Sequence, residues 1–188
     1  MNRARHETEA GITLVELLVY SMLLILVLFV VAGLFTSAFR TSANVRTVTG
    51  SATEGQLVAD SVETGIRNSS DFRLTLPNGD DQMVVARVIE NGSTVTWSCV
   101  AWYYSAAGDG SIRYTRSSGE ILAPLASDLL TWTLLDEGIR PVTGTTIFSA
   151  AGGQLMFSFQ ASAGSRAPTI FSSSAFSRAG ASGSLTCF

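Results

Sequence analysis

The chain has 188 residues, of which 46% are hydrophobic, and its formal net charge is −3. This slight acidity argues against a surface that binds nucleic acid through its phosphates. All twelve basic residues are arginine. Cross-linking through lysine is therefore excluded, and any polymer of this chain is expected to be non-covalent.

An apolar stretch from Gly11 to Phe39 is the first prominent feature of the sequence. About 20 apolar residues in a helix cross the ~30 Å hydrocarbon layer of a membrane, so residues 12–39 predict a transmembrane helix. Glu16 is the one side chain in this stretch that is expected to carry charge at neutral pH. Placing such a carboxylate in a membrane costs on the order of 2.5–3.5 kcal/mol. Because the stretch contains no Lys or Arg, Glu16 needs a cation from elsewhere.

The residues around Glu16 carry a resemblance to a known family. Gly11-Ile12-Thr13-Leu14-Val15-Glu16, followed by the long apolar run, resembles the processing signal of type IV pilins and type II secretion pseudopilins. In that family a prepilin peptidase cuts after the glycine and methylates the new terminal amine. The resemblance implies cleavage between Gly11 and Ile12, N-methylation of Ile12, and an assembly role for Glu16. Glu16 would pair with the terminal amine of an adjacent subunit. Ile12 departs from the Phe or Met that is commoner in the family.

Residues 1–11 form the predicted leader peptide, which includes the only histidine, His6. Arginines on both sides of the apolar stretch leave the positive-inside signal indecisive. The expected orientation, with the N-terminus inside, therefore rests on the resemblance. The alternative is an ordinary signal anchor or secretory signal peptide. Against it, the small-residue cleavage site after Leu34 is mediocre, and Glu16 has no role in such cleavage.

The helical pattern continues beyond the membrane segment, so residues 40–70 are predicted to form the outer, amphipathic half of the same helix. The apolar stripe recurs at intervals of three, four or six residues, at Val45, Val48, Ala52, Val58, Val62 and Ile66. We expect the helix to run from about Ile12 to Asn68. Gly33, Gly50 and Gly55 are weak positions in this helix, because each glycine costs about 1 kcal/mol of helix stability relative to Ala.

Residues 71–188 predict a β-rich extracytoplasmic domain. Strand-like segments lie at 72–76, 83–90, 94–105, 111–116, 130–134, 155–159 and 170–176. Turn sequences such as Pro77-Asn78-Gly79-Asp80 and Asn91-Gly92 separate them, and residues 140–146 are predicted to be irregular. A long helix followed by antiparallel strands predicts an α+β fold. The resemblance makes it pilin-like, a long transmembrane helix packed on an antiparallel β-sheet domain.

The sequence contains two cysteines, Cys99 and Cys187. An even pair in an exported domain favours a disulfide, which would tie the C-terminal tail to a central strand. The alternative is a pair of buried thiols. Neither cysteine lies in a CxxC motif or beside a histidine, so a metal or redox site is disfavoured.

Catalytic chemistry finds little support in the predicted mature chain. Removing the leader removes His6, so no imidazole remains for a nucleophilic triad, a metal site or a proton shuttle. We expect no enzymatic activity, no cofactor and no metal. Aspartates in turns or beside strands are expected to have local structural roles: Asp80, Asp81, Asp109, Asp128 and Asp136. A calcium loop built from Asp80, Asp81 or Asp109 is an alternative, although no spacing resembles an EF-hand.

Two interpretations exist for a group of aromatic residues in the strand region: a surface that binds carbohydrate or DNA, or part of the hydrophobic core. These residues are Trp97, Trp102, Tyr103, Tyr104 and Trp132. Their alternating strand positions favour the core. No basic patch accompanies them, so we expect no nucleic acid to be bound directly.

These features predict a structural subunit of a type IV pilus or type II secretion-like pseudopilus. It would be a single-pass membrane protein that joins a cell-surface pilus or a pseudopilus. The implied partners are the prepilin peptidase, other pilin or pseudopilin subunits and, indirectly, the assembly ATPase and platform protein. Size favours a minor subunit, and the strand pattern resembles J-type minor pseudopilins and W-type minor pilins. The alternative is a membrane-tethered ligand-binding or sensory domain that is not incorporated in a fibre.

Overall fold

A computed structural model describes residues 13–90, 96–164, 166–178 and 186–188. The predicted leader, the predicted cleavage site at Gly11 and Ile12, and the Asn91-Gly92 turn lie outside the described residues. The chain divides into two compact units between Val45 and Arg46.

The first element is a 54-residue helix, α1 (Leu14–Arg67). Thr13 caps its first turn, because the Thr13 hydroxyl accepts a hydrogen bond from the backbone N–H of Glu16 at 3.3 Å. The helix ends at Arg67, next to the predicted end at Asn68. Strand β1 begins directly afterwards, at Ser69.

In the first unit, α1 is apolar on every face and exposed. Leu14 is 80% exposed, Leu24 61% and Phe39 72%. By length and composition this helix is able to cross a membrane. A helix that is apolar all round is stable where its surroundings are also apolar, so the exposed surface indicates a membrane or a protein environment for this segment.

Five antiparallel strands form the first sheet of the second unit, in the order of the chain. Their bounds are β1 (Ser69–Thr75), β2 (Gln82–Glu90), β3 (Thr96–Ser105), β4 (Ser111–Ser117) and β5 (Thr133–Glu137). A short helix, α2 (Ala126–Leu129), lies between β4 and β5 in the sequence. Both faces of the central strand β3 are buried.

Four strands form the second sheet. They are β6 (Ile139–Pro141), β7 (Phe148–Ala151), β8 (Gln154–Ala163) and β9 (Arg166–Phe176). β8 pairs antiparallel with each of the other three. Gly152 and Gly153 close the β7–β8 hairpin with φ values of 56° and 78°, which only glycine adopts readily.

The main core of the second unit lies where α1 meets both sheets. Val58, Val62 and Ile66 are 0% exposed, as the apolar stripe predicts. Trp102 of β3 and Phe159 of β8 are the largest fully buried side chains. A smaller cluster covers the other face of the first sheet and consists of Met83, Val85, Cys99, Ala101, Tyr103, Ile121 and Cys187.

The element order is α+β, as predicted, but the later strands differ from the prediction. The predicted strand over 130–134 is wrong in its first half, because Thr131 and Trp132 turn back on α2 through backbone hydrogen bonds to Asp128 and Leu129. β6 (Ile139–Pro141) overlaps the predicted irregular stretch 140–146, so that prediction is wrong for its first two residues. β7 shows no alternation of apolar and polar residues, so the sequence does not predict this strand.

Candidate functional site

The polar side chains at the beginning of α1 form the candidate site of the first unit. Glu16 and Tyr20 lie one helical turn apart, and the Tyr20 hydroxyl donates a hydrogen bond to Glu16 Oε1 at 3.0 Å. Both side chains are exposed. Among the described residues, no cation lies within ion-pair distance of Glu16. The carboxylate is therefore held by one neutral donor.

Thr13 and Tyr20 are site residues that the sequence analysis missed. Thr13 and Glu16 have the Thr-x-x-Glu spacing of a capping box, and Tyr20 has the i,i+4 spacing from Glu16. Both roles could therefore be predicted from the sequence. Within the described residues the Glu16 carboxylate bonds to Tyr20 and not to the backbone of Thr13. The helix N-terminus also favours a carboxylate by about 0.3–1 kcal/mol.

Hydroxyl groups within the apolar segment bond to the helix itself. Ser21 donates to the carbonyl oxygen of Leu18 at 2.8 Å, and Thr36 donates to that of Ala32 at 2.9 Å. Such back-bonding satisfies a hydroxyl without water, as apolar surroundings require. The Glu16 carboxylate differs from these groups, because it is ionisable and its hydrogen bond within the described residues comes from the Tyr20 side chain rather than from the helix backbone.

Cys99 and Cys187 form a disulfide across 88 residues of sequence. The sequence leaves a disulfide and a pair of buried thiols as alternatives, and the structure contains the disulfide. The backbone N–H of Ile121 also donates to the carbonyl oxygen of Cys187 at 3.1 Å. Residues 186–188 are thereby held against the face of the first sheet that carries the smaller cluster.

Asp81 and Asp109 make contacts that are less local than the predicted turn roles. The Asp81 carboxylate accepts hydrogen bonds from the Tyr103 hydroxyl and the Ala106 backbone N–H, both at 2.7 Å. Burial and the bond to Asp81 raise the pKa of Tyr103 to about 12. Asp109 forms an ion pair with Arg140 at 2.9 Å. Both aspartates therefore connect separate elements of the fold.

Asp136 contradicts the predicted local role most clearly. It lies within β5, is 6% exposed, and its Oδ2 atom has no hydrogen-bond partner in the described structure. Burial, followed by the negative charge of Glu54 on α1, raises the pKa of Asp136 to about 6. No local pattern joins Glu54 to Asp136, because only the packing of α1 on the first sheet brings them together.

The aromatic residues belong mainly to the core. Trp102, Tyr103 and Tyr104 are at most 2% exposed, which confirms the core interpretation for these three. Trp97 and Trp132 are half-buried, and Trp132 meets Tyr103 edge to face with ring centroids 6.2 Å apart. In the part of the chain that the structure describes, no three His, Cys, Asp or Glu side chains are grouped to hold a metal ion.

Comparison with known proteins assigns no family. No protein-family model, no curated protein and no solved structure matches this chain. The function is therefore inferred from the residues and their geometry.

Proposed function

We propose that this chain is a structural subunit, of the minor class, of a type IV pilus or a type II secretion-like pseudopilus. A prepilin peptidase cuts the precursor between Gly11 and Ile12 and methylates Ile12. The mature chain then assembles non-covalently through its N-terminal helix. The observation that carries the proposal is the Glu16 carboxylate, which lies at the beginning of an exposed apolar helix without a cation among the described residues.

Electrostatics support a terminal amine as the partner of Glu16. A charged group in hydrocarbon is retained where it pairs with an opposite charge or serves a function. Cleavage before Ile12 creates an α-amino cation close to Glu16 in the sequence, and methylation preserves its charge. Tyr20 satisfies one carboxylate oxygen, which leaves the other to accept the amine of a neighbouring subunit.

The same pairing explains how a filament grows. Each mature subunit has the Glu16 carboxylate and one terminal amine, so every copy is both an acceptor and a donor of this ion pair. Such a head-to-tail contact is heterologous and builds an open helical assembly. Close packing of the apolar helices supplies most of the cohesion, and the ion pair sets the register of each subunit along the fibre.

The disulfide supports an extracytoplasmic domain. Structural disulfides persist in oxidising compartments and are rare in the cytosol, and Cys99 is bonded to Cys187 in this structure. The second unit is therefore proposed to lie outside the membrane, with α1 as the single anchor. The peptidase and other pilin-like subunits are the direct partners, and the assembly ATPase and platform protein act indirectly.

Substitution of Glu16 tests the proposal. Glu16→Ala removes the partner of the terminal amine, so we expect processing to continue while the amount recovered in sheared surface fibres, or in cross-linked pseudopili, falls at least about tenfold. Asp60→Ala is the matched control, because Asp60 is an exposed acid on the same helix. Normal incorporation of Glu16→Ala would contradict the assembly role.

A further inference from the structure

A cavity of about 300 Å³ opens in the second unit, where the β3–β4 turn of the first sheet faces β6 and β8 of the second. This volume is at the lower end of the range for small-molecule sites. A water molecule takes about 30 Å³ of liquid volume, so the cavity has room for a ligand as well as for water. Its polar wall includes Tyr104, Gln160, Asp80 and Arg140, and Pro141 adds an apolar surface.

Tyr104 supplies a hydroxyl group to the wall of this cavity. Its ring belongs to the main core and the residue is only 2% exposed. Among the described residues the Tyr104 hydroxyl has no protein hydrogen-bond partner, and it is not one of their buried unsatisfied atoms, so it reaches solvent in the cavity and is free to bond to a ligand. Burial raises the pKa of Tyr104, with a lowering influence from Arg140 and raising influences from Asp81 and Asp80. The hydroxyl therefore lies near the charges of the cavity wall and remains protonated.

The remaining polar groups supply both donors and acceptors. Gln160 is half-buried, and within the described residues its side-chain amide has no partner. Asp80 offers an exposed carboxylate. Arg140 is neutralised by Asp109 at 2.9 Å. The wall consequently has no unpaired positive charge to favour an anion.

We propose that this cavity binds an uncharged, hydroxyl-rich ring of monosaccharide size, either free or as the terminal residue of a glycan. A ligand hydroxyl both donates and accepts, so it matches the Tyr104 donor, the Asp80 acceptor and the mixed amide of Gln160. Pro141 gives the C–H face of the ring an apolar surface. The cavity lies wholly in the second unit.

The test is titration of the full chain with a panel of methyl pyranosides, in a detergent that has no sugar headgroup. Saturation-transfer NMR detects binding, and calorimetry gives the affinity. We expect at least one glycoside to bind, and Tyr104→Phe to weaken it about five- to tenfold, since one hydrogen bond is lost. Tyr103→Phe is the matched control, because the Tyr103 hydroxyl already bonds to Asp81 on the other face of the sheet.

The proposal is overturned if no pyranoside binds up to about 50 mM, or if Tyr104→Phe binds as well as the unmodified chain. It is also overturned if phosphate or an alkylammonium ion binds and no glycoside does. Gln160→Ala provides a second variant if Tyr104→Phe fails to fold, and it too should weaken binding. A higher affinity for an immobilised glycan than for its free terminal sugar identifies the glycan as the source.

Discussion

The buried carboxyl group of Asp136 lies close enough to the exposed carboxylate of Glu54 on α1 to feel its charge. Its Oδ2 atom has no partner among the described residues, and the side chain is almost fully buried. Desolvation and the charge of Glu54 favour the protonated form of Asp136 and outweigh the opposing hydrogen bond from the Glu137 backbone, so the pKa of Asp136 rises from 3.8 to about 6. The folded chain thus retains a proton that the unfolded chain releases at lower pH.

This difference predicts the direction in which stability depends on pH. Since the folded state binds more protons, its free energy of unfolding falls as pH rises from about 4 through about 6. The shift corresponds to roughly 3 kcal/mol above that range. Asp136→Asn should remove this dependence and be more stable than the unmodified chain at about pH 8. Urea denaturation at several pH values measures both effects.

A control variant separates this effect from general charge reduction. Glu120 is an exposed acid, so Glu120→Gln should leave the pH dependence of the unfolding free energy unchanged. If Asp136→Asn shows the same pH profile as the unmodified chain, Asp136 does not titrate as its surroundings imply.

At the scale of elements, two glycines allow α1 to lie against the sheets. A Cβ atom on Gly65 would overlap the Trp102 ring, and one on Gly55 would overlap Phe171. The Trp102 indole N–H also donates to the Ser61 hydroxyl at 2.9 Å. The sequence indicates Gly55 only as a weak position in the helix, whereas in the structure it allows α1 to pack closely against Phe171.

Gly65→Ala should destabilise the protein although alanine is the better helix former. Overpacking against Trp102 costs about 1–3 kcal/mol, against about 1 kcal/mol gained in helix propensity. Gly50→Ala is the matched control, because its Cβ would meet no atom within 4 Å. We expect that variant to gain stability, as measured by the free energy of unfolding in urea. A stabilised Gly65→Ala would show that α1 does not pack closely on β3.

The predictable elements are those with a strong local period. The apolar stripe identifies Val58, Val62 and Ile66 as core residues. β-Branched residues identify β2, and alternation identifies β3 and β4. β6 and β7 are too short to show a period, and their strand state comes from pairing with β8. The influence of Glu54 on Asp136 and the cavity at Tyr104 depend on tertiary packing, so no local sequence signal indicates them.

For the molecule as a whole, the disulfide is the main covalent constraint on the second unit. Cys99 and Cys187 close a loop of 88 residues, and a loop of this length is worth about 4–5 kcal/mol in the chain-entropy account. Reduction should therefore lower the thermal midpoint of the second unit markedly. A variant with both cysteines replaced by serine should melt at that lower midpoint, and its midpoint should be the same with and without reductant. An unchanged midpoint on reduction would contradict a stabilising bridge.

The central claim for the whole molecule is that a new chain end at Ile12 supplies the cation for Glu16. Mass spectrometry of the mature chain from its native cells tests this claim most directly, with Gly11→Trp as the variant that should remain uncut. The account predicts an N-terminus at Ile12 with an N-methyl group, and loss of residues 1–11. A mature chain that begins at any other residue would contradict it.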